Sequence, residues 1–256
     1  MKKVENAKIE NAKIYSNLRE SQKVYKLAKI AVVMPAHNEE HKILSVLKEL
    51  PPEIAKKTVV IDDGGNDRTG EVARGLGFLV IKHDTNMGVG AAYKTGYNLF
   101  VNDGVDIIVT LHSDGQHDPN EMPKLIQPIL DDQADYVLGS RLKANEIHMT
   151  RVRTIGNKLL TWCIKKLTGY DLSDSQTGYH AITTTALKRL NFNKWSNGFP
   201  CETDALVEAS SKGLRVLEVP VKCIYSDRSH VSAFSDGPKI LWAAVKGRLK
   251  WIFKRV

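Results

Sequence analysis

The chain has 256 residues, of which 42% are hydrophobic and 26% charged, so it can bury a substantial core and is not broadly disordered. Its net charge of +8 sits at the ends: residues 1–30 hold eight Lys/Arg against three acids, 237–256 hold six against none, and 31–236 hold 23 against 26. An acidic body with basic ends excludes the usual nucleic-acid footprint, in which the basic patch belongs to the fold, and suits a catalytic body held near an anionic surface.

Residues 1–28 are polar and contain the tandem repeat ENAKI-ENAKI. A five-residue period fits neither helix nor strand, so a loosely ordered basic arm is expected there. Ile30 to Met34 is an apolar run ending at Pro35 and predicts a buried strand. Asn38 then stands where an N-cap would, before a helix over 39–50 stopped by Pro51-Pro52. Thr58 to Ile61 is the next strand, closed by Asp62-Asp63-Gly64-Gly65 and followed by a helix over 68–75. A third strand runs from Phe78 to Ile81, and Asn86-Met87-Gly88-Val89-Gly90 opens a helix to about 102. Ile107 to Leu111 is a fourth strand ending in His112-Ser113-Asp114-Gly115-Gln116; Pro119 starts another helix, and Asp135 to Leu138 is a fifth strand ending in Gly139-Ser140-Arg141. The stretch 142–153 reads as irregular. Continuous apolar strands alternating with helices predict an α/β fold, a mostly parallel sheet with helices on both faces. Ligands bind beyond the carboxyl ends of such strands, where Asn38/Glu39, Asp62/Asp63, Asp114/Gln116 and Arg141 fall.

Several chemistries are excluded. Gly88-Val89-Gly90 is half of a dinucleotide fingerprint, but Tyr93 stands where its third glycine belongs. There is no GxxxxGK[ST] and no GxSxG. Three widely spaced cysteines, Cys163, Cys201 and Cys223, form neither a disulfide framework nor a CxxC zinc knuckle, and are expected as free thiols in a reducing compartment. No apolar run approaches the ~18 residues of a membrane span. The first residues, MKKVENAKIE, lack the apolar core of a secretory signal, so an intracellular protein that does not cross a membrane is expected. In the loop after the fourth strand, alternate residues can converge, so His112, Asp114 and Gln116 are candidate ligands for Mg2+ or Mn2+. Equally, Asp114 can cap the turn before Pro119 while His112 fills space.

The runs VVMPAHNEE (32–40), DDGGNDRT (62–69), NMGVGAAYKTG (86–96), HSDGQHDP (112–119), GSR (139–141) and DSQTGYHAI (174–182) occur in order. Together they resemble family 2 glycosyltransferases of the GT-A fold, particularly the dolichol-phosphate mannose synthase and polyprenyl-phosphate glycosyltransferase group. The resemblance covers roughly 29–230 and implies a single Rossmann-like GT-A domain over 29–236, between the arm and a C-terminal segment 237–256. It implies that Pro35, Ala36, Asn38 and Glu39 line the nucleotide cleft, with Gly88 also on the donor side, and that Asp62 and Asp63 meet base and ribose. Asp114 and Gln116 would hold a divalent metal and the donor diphosphate, Arg141 would lie beside the donor, and Arg228 and His230 near the phosphates. It departs from the family's DxDxQ at His112, a candidate ligand or donor contact, and from SGFR at His180, where a cation is expected.

The implied reaction is an inverting transfer of a hexose from a nucleotide-diphosphate sugar of the GDP-mannose or UDP-glucose type to a polyprenyl or dolichyl phosphate. The acidic residues of Cys201-Glu202-Thr203-Asp204 are candidate bases, Asp204 before Glu202 and Asp174 third; acids in a first helical turn also simply suit the helix dipole. Arg151 and Arg153 are candidate phosphate clamps or ordinary solvated charges. In 238–256, Lys239, Lys246, Lys250 and Lys254 form one helical stripe opposite Leu241, Val245, Leu249, Ile252 and Val256, flanked by Trp242 and Phe253. Such a basic amphipathic helix suits the cytoplasmic face of a membrane, or equally packs its apolar face on the body with its lysines solvated; a firm tether is expected from this helix or from a membrane-embedded partner protein. The alternatives are a soluble or polysaccharide acceptor and a non-catalytic nucleotide-sugar-binding protein.

Overall fold

A computed structural model describes residues 27–143 and 151–223 together with Tyr25 and Trp242, with side chains from Thr154 onward in the second stretch. Most of the N-terminal arm, Arg228, His230 and the C-terminal helix apart from Trp242 lie outside the described residues, as do the side chains of Arg151 and Arg153.

Strand β1 (Ile30–Ala36) shows why the apolar runs are continuous. Ile30, Val32, Met34 and Ala36 point into one core and Ala31 and Val33 into another, so both faces of the strand are buried. One core is closed by α1 (Ile43–Lys48), α2 (Pro52–Ala55), α3 (Thr69–Gly75) and α5 (Met122–Leu130). The other is closed by α4 (Val89–Phe100), α6 (Arg151–Thr168), α7 (Thr184–Arg189) and α8 (Pro200–Ser211). Between them lie β2 (Thr58–Asp62), β3 (Leu79–Lys82), β4 (Ile107–Leu111), β5 (Tyr136–Ser140), β6 (Tyr179–Thr183) and β7 (Val216–Pro220), in the order β3-β2-β1-β4-β6-β5-β7.

All neighbours are parallel except β6, which runs against both β4 and β5. The chain leaves β1 on one side through β2 and β3 and returns on the other at β4, so a crevice opens beyond the ends of β1 and β4. Because β6 is reversed, its first residue meets the last of β4, Leu111 opposite Tyr179. The segment before β6 therefore reaches the same edge as the parallel strands' carboxyl ends.

The expected strands and sheet type are present, and the differences have local causes. Asn38 does not cap a helix: it sits at φ 55° and its Oδ1 accepts the Asn66 amide at 2.9 Å, linking β1 to the turn after β2. Helix α1 accordingly begins only at Ile43. Pro35 lies inside β1 rather than ending it, because the ladder to β4 stops at Val33, leaving no bond for a proline N–H to make. Pro119 opens a 3-10 turn (Pro119–Glu121) before α5. The irregular stretch expected to 153 gives way at Arg151 to an 18-residue helix.

Helix α4 crosses β1 at Gly96, where an added Cβ would stand 2.3 Å from Val33 Cγ1. A valine methyl beside the backbone of a central strand has little room to yield. Gly96→Ala should lower stability by about 1–3 kcal/mol in urea unfolding, as overpacked cores do; an unchanged midpoint would mean that the helix simply rides outward.

Candidate active site

The loop after β4 is fixed from both sides. Ser113 Oγ donates to Pro35 O at 2.9 Å, tying it to the end of β1. The His112 amide donates to Gly178 O at 3.2 Å, and its imidazole lies so close that a Cβ at 178 would stand 2.3 Å from Nδ1. Only glycine fits there. His112 Nε2 is 2.7 Å from the Tyr93 hydroxyl, which also donates to Glu202 Oε1 at 3.2 Å. Asp114 Oδ1 accepts the Gln116 amide at 3.0 Å, an Asx turn. These bonds send His112 toward α4 while Asp114 stays on the loop.

Next to this loop stands Arg141, just past β5. Its Nε donates to Asp174 Oδ2 at 2.7 Å and its Nη2 to Oδ1 at 2.9 Å, and Nη2 also reaches Gln176 O. Asn157 of α6 adds a 2.9 Å bond to Asp174 Oδ1. Burial pushes the Asp174 carboxyl up, but the Arg141 charge and the bonds from Arg141 and Asn157 outweigh it and hold its pKa at about 2. Asp174, third among the expected bases, is thus the counter-ion of Arg141. Glu218 of β7 supports the pair from behind, accepting the Ser173 amide at 2.8 Å and the Asp174 amide at 2.7 Å.

Of the two acids in α8, Glu202 is buried in this cluster, whereas Asp204 Oδ2 accepts the Ser196 amide at 2.7 Å and anchors the preceding loop. Burial drives the Glu202 pKa up to about 7, although the Arg141 charge and the Tyr93 bond pull the other way. A half-ionised carboxyl near neutral pH is suited to proton transfer. Glu202 thus lies inside the cluster around Tyr93 and Arg141, and Asp204 is engaged with the loop before α8. His180 is not a cleft cation. It lies in β6 inside the sheet, 3.0 Å from the Tyr97 hydroxyl, and burial lowers its pKa to about 3, so it is neutral.

On the other side of the crevice the carboxylates are engaged within the chain. Asp63 accepts the Met87 amide at 3.0 Å and the Gly88 amide at 2.7 Å, and lies 2.7 Å from His83 Nδ1. Gly88, at φ 96°, packs under Asn197 O, which a Cβ would approach to 2.6 Å. Asp62 is buried with Oδ1 accepting the Gly65 amide at 3.1 Å, while Lys82 Nζ stands 3.4 Å from Oδ2, which makes no hydrogen bond. Ala36 O accepts the Asp63 amide at 2.8 Å, and Glu39 is buried with Lys42 Nζ 3.4 Å away.

Sequence reading passed over Tyr93, Asn157 and Glu218. Tyr93 lies in the run NMGVGAAYKTG, but nothing local marks a helix tyrosine as reaching a strand-end histidine. Among the described residues, no three His, Cys, Asp or Glu side chains gather as a metal cage. A divalent ion that takes one carboxylate from Asp114, an amide oxygen from Gln116, and otherwise phosphate and water fits what Mg2+ or Mn2+ accept.

The Glycosyl transferase family 2 model matches residues 31–194. An uncharacterized protein of Methanocaldococcus jannaschii is 37% identical over 202 residues, covering 78% of this chain and 83% of that relative. The UDP-N-acetylglucosamine–dolichyl-phosphate N-acetylglucosaminyltransferase of Methanococcus voltae is 34% identical over 219 residues, covering 78% and 87%. Glucosyl-3-phosphoglycerate synthase of Mycobacterium tuberculosis, solved with Mg2+ and UDP, superposes with TM-score 0.70 at 19% identity over 88% of this chain and 82% of that one, a likeness of fold.

The raised pKa of Glu202 has a consequence for stability. The folded state holds this proton more tightly than the unfolded chain, so its contribution is full below pH 4.5 and is lost as pH rises through about 7. Urea titrations at pH 5 and 8 should show Glu202→Gln gaining on the wild type by about 2–3 kcal/mol across that window. A difference independent of pH would contradict the burial argument.

Proposed function

Because this chain belongs to glycosyl transferase family 2, we propose that it moves a hexose from a nucleotide-diphosphate sugar to a polyprenyl phosphate held in a membrane surface. The observation that carries the acceptor reading is the outer face of α6. Ile155, Leu159 and Trp162 are 67%, 63% and 57% exposed, spaced four and three residues apart on one side of the helix, with exposed Lys158 and Lys166 around them. The opposite side carries Asn157 and Thr161, bonded to Asp174 and Ser175 beside Arg141. An apolar stripe with a tryptophan and flanking lysines suits the lipid–water interface. Exposed Trp242 adds to the apolar surface. Among the described residues no helix is long and apolar enough to cross a membrane, so the reading is of a peripheral enzyme. Three free cysteines favour the reducing, cytoplasmic face. The Methanococcus voltae relative, named for transfer to dolichyl phosphate, supports the same acceptor class.

In this reading the donor lies in the crevice between the loops after β1 and β4, with Pro35, Ala36, Asn38, Glu39, Asp62, Asp63 and Gly88 forming its nucleotide side. Arg141, oriented by Asp174, faces the phosphates. Asp114 and Gln116 hold a divalent cation, which when bound neutralises charge on the departing diphosphate. The acceptor oxygen attacks the anomeric carbon and the nucleoside diphosphate leaves from the opposite side. A phosphate monoester has a second pKa near ~6, so its attacking oxygen is largely ionised at neutral pH. Glu202, with its pKa of about 7, takes the remaining proton and, once neutral, does not repel the dianion.

Leu159→Glu combined with Trp162→Glu tests the acceptor reading, because both side chains are exposed and the fold does not depend on them. Turnover on polyprenyl phosphate in phosphatidylglycerol vesicles should fall at least tenfold while the donor KM stays within twofold. Unchanged turnover on vesicles would favour a soluble or polysaccharide acceptor.

A further inference from the structure

The hydroxyl of Tyr93 joins two parts of the site that the chain brings from far apart. It stands on the first turns of α4, with His112 Nε2 at 2.7 Å from the loop after β4 and Glu202 Oε1 at 3.2 Å from the first turn of α8. Tyr93 and Glu202 are buried, 2% and 7% exposed, and His112 is partly buried with its ring pressed on Gly178. A tyrosine has one proton to give. With Glu202 ionised, that proton goes to Oε1, so the bond on the other side must be donated by His112 Nε2–H. One hydroxyl therefore fixes both the rotamer of the acceptor-side carboxyl and the tautomer of the imidazole beside Asp114. The ring itself is placed independently, by Tyr97 at 5.9 Å and His180 edge-on at 5.6 Å between centroids. Helix α4 is in turn pinned by Asp63 through the Gly88 amide at 2.7 Å, so the nucleotide side and the acceptor side share one rigid element.

The geometry points to Tyr93 as a positioning residue for transfer, acting through its hydroxyl on Glu202 and His112. This inference rests on Glu202 being the acceptor-side carboxylate. Tyr93→Phe keeps the ring and removes only the hydroxyl. It should lower kcat ten- to a hundredfold with the donor KM within twofold, and adding it to Glu202→Gln should cost nothing further, since both remove the same interaction. The second readout needs no variant of Tyr93. In the full-length wild type labelled with 15N-histidine, at pH 8, the His112 ring, assigned by its loss in His112→Asn, should show the Nε2–H tautomer. An Nδ1–H tautomer would overturn the inference, as would full turnover in Tyr93→Phe alongside an impaired Glu202→Gln. Full turnover in Glu202→Gln would instead remove the reading of Glu202 on which the inference rests.

Discussion

Strand β6 runs against its neighbours between β4 and β5, and the reversal decides which side chains can meet at the open edge of the sheet. A parallel strand would have brought its carboxyl end there and sent the preceding segment to the far side. Running backwards, β6 delivers 174–178 instead: Gly178 beneath His112, and Asp174 to the guanidinium of Arg141. The buried ion pair that results would be costly without further partners. Asn157 supplies one, and Glu218 fixes the backbone that carries Asp174. Elements from β5, β7, α6 and the loop before β6 are thereby committed to holding one cation at the mouth of the crevice.

The two sides of the crevice are built differently. On the β1–β2 side, acidic side chains are spent on the protein's own amides, as Asp63 is on Met87 and Gly88. That hardens the loops, leaving backbone and shape to receive a ligand. On the β4–α8 side the polar groups bond mainly to one another, with the Glu202 pKa raised to about 7 and His112 joined to Glu202 through Tyr93. Fixed geometry on one side and a carboxyl near its titration point on the other suit the transfer proposed above.

Much of this was legible in the sequence, and the limits are specific. Runs such as TVVI and IIVTL announced strands buried on both faces because no charged residue interrupts them. The strand-end residues His112, Asp114 and Arg141 were legible because each falls within three residues of the end of an apolar run. The partner of Arg141 was not, since Asp174 lies 33 residues away and is joined to it by a reversed strand that no local period reveals. Asp204 and Glu202 sit in one helical turn, so the sequence does not tell their surroundings apart. Only packing shows that one faces Tyr93 and the other the Ser196 amide. His180 read as a titratable group at the cleft, but its place in β6 puts it among Tyr93, Tyr97 and Tyr136. Helix α6 was obscured because its outward face is apolar, the opposite of what a soluble surface helix displays.

In the proposed reading that outward face meets the lipid that carries the acceptor. The most direct measurement is sugar transfer to a short-chain polyprenyl phosphate, read by mass, with a pool of GDP- and UDP-sugars and Mn2+. One lipid product, heavier by a single sugar residue, is expected, and none when the cation is chelated. A consumed donor with its sugar on a water-soluble acceptor, or an intact donor pool and unmodified lipid, would contradict the proposed reading.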